Sequence, residues 1–196
     1  MAALLDDVAA RCAPLVPRSA NQAKDLAARL GGGLPLIWGF SPLPGLVATR
    51  LANQIAENAA LPALASSSSE GQHNQIVALA GDYGSRAVPG APRLHLVMVR
   101  DPADPVRAGH RAELSVELAA EAGVPASSLR GSLGIESPEL DRAAELIALA
   151  DFASVYLALL CGVDPTPVVP ITDLKARMAG AGVPGPGKSG RSDITD

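Results

Sequence analysis

The sequence predicts a doubly wound α/β domain, a single parallel sheet flanked by helices on both faces. Three observations carry that expectation. Two short apolar runs, LPLIWGF (Leu34 to Phe40) and RLHLVMVRD (Arg93 to Asp101), stand between breakers as centrally buried strands do. Segments with apolar residues at helical spacing alternate with them. The composition, 48% hydrophobic and 3% aromatic over 196 residues, suits Ala-, Leu- and Val-rich helices packed on one buried sheet.

The opening AALLDDVAARCAPLVP is helical until Pro14 and Pro17. SANQAKDLAARLGGG follows as a second helix, with Ser19 as the N-cap and the triple glycine as its stop. After the LPLIWGF strand and an SPLPG turn, GLVATRLANQIAENAA is a helix with Arg50 and Glu57 two turns apart on one face. LPALASSSSEGQ reads as a loop, Ser66 to Ser69 being a solvated part of it, and HNQIVALAG as a short helix. Gly81 to Pro92 is turn-rich. After the RLHLVMVRD strand come a helix over DPVRAGHRAELSVELAAEAG and a weak strand about Ser128 to Leu133. A long helix runs from Pro138 to Cys161 behind Ser137, then a rigid GVDPTPVVP connection and a last short helix, ITDLKARMAG. The expected domain is residues 1–179, with 180–196 as a disordered tail.

Several function classes are excluded. The net charge of −4 with interspersed signs, together with few aromatics, argues against nucleic acid. LIALADFASVYLALLCGV (Leu146 to Val163) has the length of a membrane span, but Asp151 and Ser154 interrupt it and charges crowd both ends. A buried helix and no membrane partner are expected. Cys12 and Cys161 make no metal-ligand spacing; they read as reduced, buried thiols of a cytoplasmic protein, with neither metal nor cofactor. Met1 leads into Asp6 and Asp7 rather than a basic, then apolar leader. GVPGPGKS (Gly182 to Ser189) satisfies the phosphate-loop pattern. It follows a helix rather than a strand and precedes only GRSDITD, so no helix N-terminus is there to cradle a phosphate, and nucleotide binding is set aside.

The informative stretch is RLANQIAENAALPALASSSSEGQHNQIV. Taken alone, Glu57 is a carboxylate that Arg50 can pair, and His73 a helix-start imidazole that can cap. The order of Arg, then Glu-Asn-Ala, then Pro-Ala, then Glu-x-x-His-Asn-x-Ile nevertheless resembles the C-terminal half of the bifunctional phosphoglucose/phosphomannose isomerases, built from sugar isomerase (SIS) domains. NQAKDLA before LPLIWG, the LHLVMVRD strand and DFASVYLALLCGVDPTPVVPITDLK match in the same order, so the likeness covers Leu4 to Met178.

The resemblance implies a flavodoxin-like SIS fold and the aldose–ketose isomerisation of a hexose 6-phosphate through an enediol. It assigns the base to Glu57, and ring opening to His73, which a second subunit can supply, and to Lys175, which also stabilises charge. Arg50 becomes a substrate contact. These types suit the chemistry: a carboxylate moves a proton between neighbouring carbons while cations stabilise the enediolate. Glu57 and Lys175 are expected at the carboxyl ends of the strands, with His73 far from Glu57 in one chain and near it across a two-fold dimer. The partners implied are hexose 6-phosphate and either a second copy or another SIS half, whose Ser/Thr-rich loop holds the phosphate. The chain departs from the family at Ala56, where Asn is usual, at Ala60, where Lys is usual, and at Gln75, where Glu is usual. The alternative is a SIS module without catalysis, kept for phosphosugar sensing or dimerisation.

Overall fold

The computed structural model describes residues 1–67, 69–86, 89–90 and 92–180. The chain divides after Pro165 into two units, and of the second only residues 166–180 are described. In the first, α1 (Ala2–Arg11), a 3₁₀ turn (Arg18–Ala20) and α2 (Gln22–Leu30) precede β1 (Gly33–Trp38). α3 (Pro42–Ala59), β2 (Leu64–Ser66), α4 (Ser69–Gln75) and a second 3₁₀ turn (Ile76–Ala80) lead to β3 (Arg93–Arg100). α5 (Val106–Glu121), β4 (Ala126–Arg130) and α6 (Glu139–Leu160) complete it. The second unit contributes α7 (Val169–Gly180), which buries no residue. The expected tail beyond Gly180, with its phosphate-loop pattern, lies outside the described residues.

The sheet is parallel throughout, in the order β2-β1-β3-β4, with Leu36 opposite Leu96 and Leu64, and Met98 opposite Ser128. LPLIWGF and LHLVMVRD are therefore adjacent strands of the parallel sheet that the sequence predicts. The two-residue period of the strands sorts their side chains into two cores. Ile37, Val97, Val99 and Leu129 face the α1, α2, α3 and α6 layer, against Leu26, Leu51, Ile55 and Leu149. Leu36, Trp38, Leu96 and Met98 face the other side, against Leu79 and Ala112 of α5. α6 is the one described helix long and apolar enough to cross a membrane. Its buried residues include Arg142 and Glu145, both bonded within the unit, so it is the core helix the sequence predicts.

Several local expectations are corrected. Asn21, not Ser19, caps α2: its Oδ1 accepts from Lys24 N at 3.0 Å, while Ser19 sits in the preceding 3₁₀ turn. SPLPG is not a turn but the start of α3, with Pro42 at a first-turn position where no N–H is needed. The predicted loop holds β2, three residues long, and its Ser66 is buried. α4 begins at Ser69, ahead of the predicted start. β4 lies two residues earlier than predicted, because its register follows β3. α7 takes in Val169 and Pro170, which the sequence assigns to the connection. Cys12 is buried, and burial pushes its thiol pKa up, but Cys161 is exposed. Neither is in a disulfide.

Candidate active site

α3 leaves the carboxyl end of β1 and runs back along the sheet. Glu57, fifteen residues after Pro42, therefore stands about 22 Å down the helix, toward the amino ends of the strands. The expectation that it lies at the carboxyl ends is thus corrected by the direction of the helix that carries it. Its exposed carboxylate accepts from Gln54 Nε2 at 3.1 Å. The neighbouring Asn58 turns inward, donating to Ser154 Oγ of α6 at 2.8 Å, and Ala59 is buried. Ala60 ends the helix in the left-handed region, at φ 53°. The Glu-Asn-Ala triplet thus divides its labour: one residue faces out, one ties α3 to α6, and one packs.

Arg50 lies two turns before Glu57. Its Nε donates to Asp151 Oδ1 at 2.9 Å and its Nη2 to Oδ2 at 3.0 Å, a bidentate pair. That pair raises the Arg50 pKa, with the Glu57 charge adding to it. The guanidinium lines an open groove of 670 Å³ together with Pro42, Leu46, Thr49, Asn53 and Ile147.

At the carboxyl end of β1, the turn into α3 is poor in donors for an anion cradle. Pro42 and Pro44 have no N–H, the Gly45 N–H is already bonded to Ser41 O, and the Ser41 hydroxyl donates to Asp104. Gly39 presses so closely on Pro44 that a Cβ there would collide with its carbonyl. Arg100 donates to the same Asp104 at 3.2 Å, and Asp101 holds Arg142 at 2.8 Å, which closes the ends of β1 and β3 on this face.

His73 belongs to the opposite face of the sheet. It lines a 420 Å³ cavity with Trp38, Phe40, Gln72 and Ile76, walled on the far side by Arg111 of α5. Within one chain the sheet therefore separates His73 from Glu57. Lys175 is an exposed residue of α7, in the second unit. The structure thus brings Arg50 and Glu57 together on one helix and gives His73 different company. Sequence reasoning missed Arg111, Phe40 and Gln72, which three separate segments bring to one cavity: α5, the residues just after β1, and α4. It also missed the Gln54–Asn58–Ser154 ties. The loss of donors at the β1–α3 turn was open to view in the two prolines. No described group of three or more His, Cys, Asp or Glu could hold a metal.

Comparison with known proteins gives a consistent result. The family described as bacterial phospho-glucose isomerase C-terminal SIS domain matches residues 19–178. A bifunctional phosphoglucose/phosphomannose isomerase of Caldicellulosiruptor bescii is 36% identical over 176 residues, covering 90% of this chain and 50% of that protein. One from Aquifex aeolicus is 30% identical over 159 residues, covering 81% and 46%. The chain spans about half the length of these curated relatives. Among solved structures, a glucose-6-phosphate isomerase-like protein of Thermus thermophilus superposes with a TM-score of 0.64 at 24% identity, over 89% of this chain and 53% of that one. A hypothetical protein of the same organism gives 0.55 at 18% identity, over 92% and 49%. Both structural likenesses speak to the fold. With the family matched across most of its length and the parallel SIS sheet in place, the chain belongs to the bacterial phosphoglucose isomerase C-terminal SIS domain family.

Proposed function

We propose that this unit is the catalytic half of an isomerase that interconverts glucose 6-phosphate or mannose 6-phosphate with fructose 6-phosphate through an enediol. The observation that carries the reading is the exposed stripe of α3. There Glu57 stands about 10.5 Å along the helix from Arg50, beside an open groove. In this reading Glu57 removes the proton from C2, the C–H electrons move into the enediolate, and the proton returns to C1. Lys175 and a second copy's His73 assist ring opening and stabilise the oxyanion, and Arg50 contacts the sugar. The phosphate is held by another SIS half, in keeping with a β1–α3 turn poor in free donors. The protein works as a homodimer or with that half. Two cysteines outside any disulfide suit the reducing cytoplasm.

The test follows glucose 6-phosphate deuterated at C2, by NMR, with the protein alone and with a phosphate-binding SIS half added. Deuterium should wash into solvent in the combined sample. Glu57→Gln should slow that loss about 10²–10⁴-fold while sugar-phosphate binding persists. Exchange that ignores Glu57→Gln refutes the assignment.

A second reading, a SIS module that binds phosphosugars or dimerises without catalysis, is favoured by one observation. Arg50 is already committed to Asp151, and Ala56 and Ala60 flank Glu57 where the resembled family carries polar or charged residues. Binding by the native combined sample with no deuterium loss would establish it.

A further inference from the structure

His95 and Ser127 form a nucleophile–base pair that the isomerase chemistry does not use. Val97 of β3 stands opposite Ser127 of β4, and the two-residue period puts His95 on the same face as Val97. Ser127 shares that face with Leu129, toward the layer of α2 and α6. There the His95 Nε2 lies 2.8 Å from the Ser127 hydroxyl oxygen. The ring is also hydrogen-bonded to the backbone of Arg29, in the last turn of α2, where carbonyls have no intrahelical partner. A carbonyl only accepts, so this bond assigns the ring proton to Nδ1 and leaves the Nε2 lone pair toward the serine. Burial and the Arg29 charge hold the ring below its ordinary pKa, so it stays a neutral base. A hydroxyl on a base that a third group orients is the arrangement of an activated nucleophile.

The surroundings give the pair access and an electrophilic partner. His95 is buried, but Ser127 is half-buried and lines a cavity of 190 Å³ with Asp25, Arg29 and Ser128. Arg29 donates from Nε to Asp25 Oδ2 at 2.7 Å, and among the described residues its Nη groups make no hydrogen bond. Those N–H groups are available to a developing oxyanion. The cavity shares no lining residue with the Arg50 groove or the His73 cavity.

We propose that Ser127, activated by His95, is an acyl-accepting nucleophile for esters of short acyl chains. Its Oγ bonds to the ester carbonyl carbon as the hydroxyl proton passes to His95 Nε2, and Arg29 meets the tetrahedral oxyanion. Collapse breaks the bond to the alcohol oxygen, which leaves with the proton from His95. Water then repeats the sequence on the acyl group, releasing the acid and restoring the hydroxyl. The size of the cavity sets the limit on the acyl chain. The site does not rest on the isomerase reading.

The native protein is treated with diisopropyl fluorophosphate, which forms an Oγ–P bond as fluoride leaves, and labelled peptides are mapped by mass spectrometry. Ser127 should be labelled at least about 10²-fold faster than its exposed neighbour Ser128. p-Nitrophenyl acetate should be turned over steadily once other nucleophiles are acetylated, and Ser127→Ala should abolish that turnover. His95→Gln, checked for native fold by circular dichroism, should slow labelling and turnover about 10²–10⁴-fold. Arg29→Met should slow turnover at least about tenfold. Labelling of Ser127 no faster than of Ser128 overturns the nucleophile in the native protein, without any variant. Labelling that survives His95→Gln overturns its activation, and native turnover in Arg29→Met overturns the oxyanion contact. Turnover no greater than that of Ser127→Ala overturns the acyl chemistry.

Discussion

Glu145 is the most demanding polar group in the core. Its side chain is fully buried in α6, yet it carries a carboxylate. Ser132 donates to Oε1 from its N–H at 2.9 Å and from its hydroxyl at 2.6 Å, Leu133 N donates to Oε2 at 3.1 Å, and Arg11 Nη2 completes the set at 2.9 Å. The loop after β4 is wrapped around this one group, so tightly that a Cβ on Gly131 would overlap Oε2. Glu145→Ala would strand two amides and a hydroxyl. Arg11 would lose less, being 37% exposed and still bonded to Asp7 at 2.8 Å. At about 1–3 kcal/mol per stranded group, with water admitted to part of the space, the expected loss is about 3–5 kcal/mol. Glu145→Gln keeps an acceptor for the amides and should cost about 1–2 kcal/mol. Urea unfolding followed by Trp38 emission measures both, since that indole is fully buried. Burial pushes the Glu145 carboxyl up, but the bonds from Ser132, Arg11 and Leu133 together hold it below its ordinary value. Its contribution is therefore present above the unfolded carboxylate pKa and is lost as pH falls through the folded one, so the penalty of the alanine variant should shrink in acid. A cost under about 1 kcal/mol, or a glutamine variant worse than alanine, would refute the reasoning.

Ala60→Gly relieves a left-handed Cβ, a strain of about 1–2 kcal/mol against about 0.4–1 kcal/mol of added unfolded-state entropy. Thermal melts should therefore show a gain of about 0.5 kcal/mol, and a loss would contradict the helix end described here. His95 is held below its ordinary pKa by burial and by the charge of Arg29, while its Nε2 meets Ser127 Oγ at 2.8 Å. The unfolded chain then binds a proton that the folded one refuses. Stability should fall as pH drops below about 6.5, by at most about 1.4 kcal/mol per unit, and His95→Gln should flatten that slope. Asp151→Ala removes an ion pair whose two side chains are 46% and 36% exposed, so urea midpoints should move by under about 1 kcal/mol. Because it also frees Arg50, its effect on sugar-phosphate affinity should exceed its effect on stability if Arg50 contacts the sugar, and the opposite ranking would make the arginine structural.

The fold was legible where burial alone decides it. LPLIWGF and LHLVMVRD are covered on both faces, so the strands show as unbroken apolar runs, and their parallel direction follows from the helices between them. Legibility failed where tertiary context decides. Leu64–Ser66 is an edge strand of three residues whose pairing with Leu36–Trp38 supplies the order that its sequence lacks. Ser19 and Asn21 are both good caps, and the 3₁₀ turn ahead of α2 selects the second. Arg50 and Glu57 could be set on one face from helical spacing, because that relation is local. The sheet between Glu57 and His73, and the approach of Arg111 to Phe40, are products of long-range crossings that no spacing encodes.

The same crossings explain why the candidate groups fall where they do. A doubly wound sheet offers its ligand crevice at the carboxyl ends of its strands, on either side of the switch between β1 and β3. On the α3 side that crevice is spent: two prolines remove donors from the helix start, Ser41 and Arg100 are tied to Asp104, and Gly39 lets the chain close down on Pro44. The candidate groups on that side, Arg50, Asn53 and Glu57, stand farther down α3 on an exposed stripe, beside an open groove that Arg50 and Asn53 line. A carboxylate that exposed cannot exclude water by itself, and general-base catalysis on a carbon acid gains from a site that does. The stripe therefore requires a second surface to become an active site. Isomerisation assays should therefore show turnover only when such a surface is added, and turnover by the chain alone would contradict that requirement.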